Sequence, residues 1–297
     1  MKKDLLPLLP LFAVVLIGTA THAQTTKDGT RLAWDQRIAV TQGTITVDKK
    51  EHPAHTITVF EADAGTAIDL WRKELTPVSA AITNKPLRAT GVRLPQLSEE
   101  QLIVLADGTT EKKAGVAKLS LAFLVNDSTP LEADAEKYMY DLAVRLNKAV
   151  VQGQIDRYQK DLDKTGEKLA SSAKDKAKAE SNVAKANRDL EKLKSKRGKI
   201  QADNAKIHGN ITGLEKKFAL TNDPKDLQRL TKARSSLAKN EGSLAKLMQQ
   251  EAKVQGNLNK HQSTLEKHSS KAGDHQESKE DLQRIISELK RKQDHIR

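Results

Sequence analysis

Residues 200–244 read IQADNAKIHGNITGLEKKFALTNDPKDLQRLTKARSSLAKNEGSL, and their apolar residues are spaced almost symmetrically about Pro224. Working outward on the N-terminal side, an alternating three-four spacing runs back through Phe218, Leu214, Ile211, Ile207, Asn204 and Ile200 as far as Ile155. Of its 19 positions, 14 are apolar. On the C-terminal side the same spacing runs from Leu230 through Leu237, Asn240, Leu244, Leu247, Val254, Leu258 and Leu265, and continues in phase through Leu282, Ile286, Leu289 and Ile296. Such a repeat is the seam of a coiled coil. Two seams on either side of one break predict an antiparallel hairpin; a continuous rod kinked at Pro224 is the alternative.

In a hairpin, a positions of one arm meet d positions of the other, and pairs whose numbers sum to 444 satisfy this throughout. Leu214 then faces Leu230, Ile200 faces Leu244 and Ile155 faces Leu289, while Ala186 opposite Leu258 sets small against large. Asn204 faces Asn240, the only asparagines on either seam. A single amide layer of this kind is a means of fixing register. The expected tip lies at 219–225. There Asp223 caps the second helix, Pro224 occupies its first turn and Asp226 sits near its positive end. A 64-residue arm would span roughly 95 Å.

Residues 1–23 carry the marks of a secretory signal: Lys2 and Lys3, an apolar run from Leu5 to Gly18, and Thr21-His22-Ala23 at cleavage spacing. The mature chain is expected to begin at Gln24 or Thr21. No later segment has the roughly 20 apolar residues of a membrane-spanning helix, so the sequence predicts an exported protein, periplasmic or extracellular. The chain has no cysteine, which excludes a disulfide framework.

Residues 24–131 are expected to form a small α+β domain with a mixed or antiparallel sheet of three to five strands and one or two helices. His55 to Phe60, Leu87 to Leu94, Leu102 to Ala106 and Val116 to Val125 read as strands. Asp63 caps a helix reaching Leu75, with Leu70, Trp71 and Leu75 inward. Residues 24–50 are weakly patterned, with an edge strand near Thr44 to Val47. Asp107-Gly108 has turn chemistry. Thr129-Pro130-Leu131-Glu132 reads as a capping box that starts the first long helix. That makes 132–297 the long α-helical coiled-coil hairpin, its first turns covering the sheet before the helix leaves as an arm.

The net charge of +12 is unevenly placed. Residues 24–131 hold 13 basic and 13 acidic side chains, whereas 132–297 hold 36 and 25. Lys232, Lys239, Lys246, Lys253, Lys260 and Lys267 recur every seventh residue, about 10 Å apart on one flank of the second arm. This ladder is a candidate for attracting anionic polymers or acidic partners. No aromatic residues interleave with it, which disfavours base stacking. His261, His268 and His275 fall on the seam, opposite Val183, Lys176 and Leu169. They form a candidate pH-sensitive stretch, and their seven-residue spacing keeps them from sharing one metal ion. His52 and His55 have no nearby ligand cluster. Nucleophile elbow, zinc-helix, Walker and dinucleotide motifs are missing, so no catalytic, cofactor or metal residues are assigned and the chain is read as non-enzymatic.

The segment Ile68-Asp69-Leu70-Trp71-Arg72-Lys73, in the order signal, small mixed domain, capped helix and Lys-rich coiled coil, resembles a family of exported bacterial proteins with that architecture. The resemblance implies the fold and brings no functional residues. Three functions follow as expectations. The first is a structural or adaptor protein of the cell envelope that docks a protein partner, with homo-oligomers allowed, and uses the arm as spacer or scaffold. The second is a holdase, because the basic charge and the helical arm on a sheet base resemble the periplasmic tentacle chaperone Skp, although here every strand precedes the long coiled-coil helices. The third is binding of an anionic envelope polymer or extracellular DNA through the lysine ladder.

Overall fold

The computed structural model describes residues 25–297. The signal-sequence expectation falls on residues outside that range. The chain divides into two compact units. One comprises the described residues up to Tyr158 together with Arg284–Arg297, and the other is Gln159–Gln283.

The first unit is built on a six-stranded sheet, one strand more than the widest expectation. Its strands are β1 (Val40–Val47), β2 (Lys50–Phe60), β3 (Ala81–Asn84), β4 (Leu87–Val92), β5 (Leu102–Glu111) and β6 (Val116–Leu124). They lie in the order β1-β2-β6-β5-β4-β3, antiparallel throughout. Helix α1 (Ala64–Leu75) connects β2 to the β3–β4 hairpin. Its N-cap is Asp63, whose Oδ1 accepts the Thr66 N–H at 2.7 Å, as the sequence predicts.

Alternation along β6 turns Ala117, Leu119, Leu121 and Phe123 to one face, where Ile57, Val59, Val104 and Ala106 lie beside them in register. Helix α1 adds Ala67, Trp71 and Leu75 to that core. The opposite face is less wet than its polar residues suggest. Ile45, Ala54, Leu105, Ala122 and Leu124 form a second small cluster there. Contact between β1 and β5, with β2 and β6 lying between them in the order, requires a curled sheet.

Three local readings need correction. Asp107-Gly108 is not a turn, because β5 runs through it to Glu111 and the chain reverses at Lys112 to Gly115 instead, with Gly115 at φ +67°. Glycine at 108 leaves room for α1: a Cβ there would come within 2.9 Å of the Ile68 Cδ1, which would have to shift. The second correction concerns Thr129 to Glu132, which do not cap a helix. The Leu131 N–H donates to the Phe123 carbonyl (2.9 Å) and the Val125 N–H to that of Thr129 (3.0 Å), with Pro130 in a β-bridge to Leu124. Pairing with the end of β6 outweighs the local cap. The long helix α2 (Glu136–Thr221) begins four residues later, where Asp134 Oδ1 accepts the Glu136 N–H at 2.9 Å. The third is β1, which is twice the expected edge strand and is joined to β2 by Asp48 and Lys49. Both residues have positive φ, the backbone of a tight two-residue hairpin turn usually reserved for Asn-Gly.

The second unit is the hairpin. Helices α2 and α3 (Pro224–His295) pack against each other, and the seam shows directly in burial. Every predicted seam position from Leu162 to Phe218 and from Leu230 to Leu282 is buried or half-buried, and most positions between are exposed. The packed group Ala186, Leu190 and Leu258 with Val183 and Val254 sets the register, since 186 with 258 and 190 with 254 both sum to 444. At the tip Asn222 is left-handed (φ +53°) and its N–H reaches the Phe218 carbonyl at 2.8 Å, closing α2. Asp223 Oδ1 accepts the Lys225 N–H at 2.9 Å, opening α3. Asp226 is buried between Lys217 (3.2 Å) and Arg229 (3.3 Å).

Candidate functional site

The first unit has a large cleft, about 860 Å³, bordered by the start of α1, the β5–β6 turn, residues 149–157 of α2 and the lead-in residues 28–36. Two polar groups organise its rim. In the first, the Tyr158 hydroxyl donates to Asp28 Oδ1 at 2.7 Å, Thr26 donates to the same carboxylate, and Arg157 pairs with its other oxygen. Arg157 also donates to the Thr30 hydroxyl at 3.2 Å and lies 4.9 Å from the Tyr158 ring centre. The hydrogen bond from Thr26, that from Tyr158 and the charge of Arg157 together hold the Asp28 carboxyl down at about 2.

The second group centres on Lys292, whose side chain is fully buried. Its ammonium donates to Glu61 Oε1 at 2.7 Å and to the Arg31 carbonyl at 2.8 Å. Glu61 Oε2 accepts from Gln154 Nε2 at 2.8 Å. Glu61 has φ +55°, a left-handed backbone that costs a non-glycine residue about 1 kcal/mol or more. That bend lies between β2 and the Asp63 cap of α1. Nearby, Asn147 of α2 accepts the Phe60 N–H at 2.8 Å and donates to the Thr58 carbonyl at 3.0 Å, tying the helix to the last residues of β2. These groups are chemically a clamp: hydroxyl, carboxylate and cation are consumed by one another, and the lead-in is pinned to the strand end and to both helices.

None of Asp28, Glu61, Tyr158 or Lys292 stood out in the sequence as a polar cluster. Tyr158, three residues after Ile155, falls on the seam spacing, and Lys292 lies off the seam with no periodic partner, so only the fold brings them together.

The residues singled out from the sequence are placed as follows. All six ladder lysines are exposed. His261, His268 and His275 are half-buried on the seam. The first two border a cavity of about 260 Å³ with Asp175, Lys178, Ala179, Asn182 and Thr264, which marks loose packing at the small Ala179 layer. Asn204 and Asn240 are both half-buried, but no hydrogen bond joins them, and Asn204 Oδ1 is buried without a partner among the described residues. Arg197 and Glu251 do form a polar contact across the seam, at 2.7 Å. His52 is buried and His55 half-buried; two positions an odd number apart on β2 point to opposite faces. Among the described residues no group of three or more His, Cys, Asp or Glu side chains is arranged to hold a metal ion. No helix among them is long and apolar enough to cross a membrane.

No protein-family model matches any part of the chain, and no curated protein is significantly similar to it.

Proposed function

We propose that this is a non-enzymatic, exported structural or adaptor protein that binds a protein partner and uses its helical hairpin as a spacer or scaffold. The observation that carries the reading is the hairpin's division of labour. Its seam absorbs almost all of its large apolar residues; Met248 is exposed part-way along α3, and two leucines remain exposed beside the tip, Leu220 at 87% and Leu227 at 47%. Unpaired leucines at the end of a long polar arm are suited to contact. At the cleft in the other unit the charged groups pair with one another, while Gln154 Oε1 is buried without a partner among the described residues.

The test is recovery of the full chain and of a Leu220→Ser, Leu227→Ser variant from the native envelope after cross-linking in situ. A discrete partner in fixed ratio, lost in the variant, supports the adaptor. Stoichiometric suppression of aggregation of an unfolded outer-membrane protein, unchanged in the variant, overturns it in favour of a holdase. Export is tested separately by the N-terminal mass of the recovered protein, which should begin at residue 21 or 24.

A further inference from the structure

The six ladder lysines sit two residues after six successive a positions of α3, from Leu230 to Leu265. The same position of α2 is occupied by Lys178, Lys185, Lys192, Lys199 and Lys206, five heptads in succession. All of these are exposed too. Two rows of lysine on two helices could lie on opposite sides of a hairpin, and the contacts across the seam place them on one side. The cavity bordered by Lys178 is lined by its helical neighbours Asp175 and Asn182 and, across the seam, by Thr264. Residues three and four apart share a helix face; Thr264 is flanked in this way by Lys260 and Lys267. The other side of the seam is marked by Arg234 and Glu215, four residues after their a positions and paired at 2.6 Å.

The register fixes the levels. With seam pairs summing to 444, Lys192 stands within one residue of Lys253, Lys185 of Lys260 and Lys199 of Lys246, a rise difference of about 1.5 Å. The rows therefore form rungs, about 10 Å apart, over roughly 40 Å from Lys178 to Lys206.

General solubility does not account for this pattern. One residue after each of these a positions is just as exposed, and there the same heptads carry no lysine, with alanine at six of the eleven positions. Other lysines of the hairpin, such as Lys160, Lys174, Lys194 and Lys216, lie at other heptad positions, and none of those positions carries lysine in successive heptads. Among the described residues only Lys192 and Lys206 of the two rows have an acidic partner within 4.0 Å, Asp189 at 3.8 Å and Asp203 at 4.0 Å; none of the six on α3 has one.

We infer that the two lysine rows form one cationic face on the hairpin that binds a linear phosphate-bearing polymer lying along the helix axes. Lysine ammoniums are mobile point charges that neutralise phosphates without demanding one geometry. A repeating phosphate chain can meet every rung, whereas the scarcity of arginine and aromatics on this face gives no means of reading bases. This inference goes beyond the adaptor reading and stands on the hairpin exterior alone, so either can fail without the other.

The test uses the full chain with two labelled probes, long-chain inorganic polyphosphate and a 30-base-pair DNA duplex, titrated between 50 and 200 mM salt. With five phosphates neutralised on the duplex, affinity should fall roughly 500-fold over that range. Changing the five α2-row lysines to Gln, a residue of similar helix propensity, should weaken binding at least tenfold and flatten the salt dependence, and so should changing the α3 row. A control with Lys160, Lys174, Lys194, Lys216 and Lys225 changed to Gln removes the same charge elsewhere on the hairpin. If the control loses as much affinity as either row variant, or if neither probe binds at 50 mM salt, the inference is wrong. Binding of both probes shows that phosphate charge alone is read; binding of one identifies which polymer fits the face.

Discussion

Replacing Glu61 by Gln should be among the most damaging single changes in the sheet-bearing unit, although Glu61 lies on no motif. The Lys292 side chain is completely buried and holds two acceptors, Glu61 Oε1 at 2.7 Å and the Arg31 carbonyl at 2.8 Å. Taking away the carboxylate leaves a buried ammonium with one neutral partner, a situation that costs about 3–5 kcal/mol. Lys292→Met removes the cation instead. The remaining carboxylate is 23% exposed and keeps its bond from Gln154, so the loss should be about 1–2 kcal/mol. The double variant should be more stable than Glu61→Gln alone. Both tryptophans of the chain, Trp34 and Trp71, lie in this unit. Their fluorescence in a urea titration therefore reports on it without interference from the hairpin. With a slope of about 2 kcal/mol per molar urea, Glu61→Gln should shift the midpoint by roughly 1.5–2.5 M. A shift under about 0.5 M, or a double variant less stable than Glu61→Gln, would refute the claim that this pair is held as a buried ion pair.

Leu190→Ala removes the centre of the packed seam group and should cost the hairpin about 2–3 kcal/mol, read by far-ultraviolet circular dichroism during denaturation. Because the native chain has no cysteine, Cys introduced at 204 and 240 can be spin-labelled cleanly; a separation above about 25 Å would exclude the hairpin, whose axes should lie about 8–10 Å apart. Tyr138 is buried edge-on against Phe123, with centroids 5.6 Å apart, and burial pushes its hydroxyl from 10.0 up to about 12. Its contribution is thus fully present below pH 10 and lost as pH rises towards 12, an alkaline decline that Tyr138→Phe should flatten. Asp28 works in the opposite sense. Its carboxyl is held at about 2 against a normal 3.8, so its contribution is present above pH 4 and lost as pH falls to 2, and Asp28→Asn should remove that part of the acid sensitivity.

What the sequence makes legible follows from the range of the interactions involved. The hairpin register needs only the seven-residue period and one break, and both are local, so Ala186 opposite Leu258 could be derived before any coordinates. The Asp63 cap and the alternation of β6 are local in the same way. Thr129 to Glu132 misled because its capping pattern is local but its competitor, the end of β6, is reached only through tertiary pairing. Asp107-Gly108 misled because glycine there answers the close approach of Ile68, which a turn rule cannot sense. Strand β3 has four residues, too few for a period to show. The clamp at Asp28 and Lys292 joins residues as far as 261 positions apart, and no pattern in the chain marks them. The α2 lysine row was present in the sequence all along, yet which side of the hairpin it takes depends on the handedness of the helices and on the contacts around Thr264.

The hairpin interrupts the sheet-bearing unit in sequence, residues 284–297 completing what residues 25–158 begin. This arrangement makes arm length adjustable in fixed steps. Excising 201–207 together with 237–243, matched about the tip, shortens the reach by about 10 Å and leaves every remaining layer aligned. Excising either heptad alone shifts one arm past the other by a whole repeat and forces the unmatched residues out of the tip as a longer loop. Length variants of such a protein should therefore come in mirrored multiples of seven.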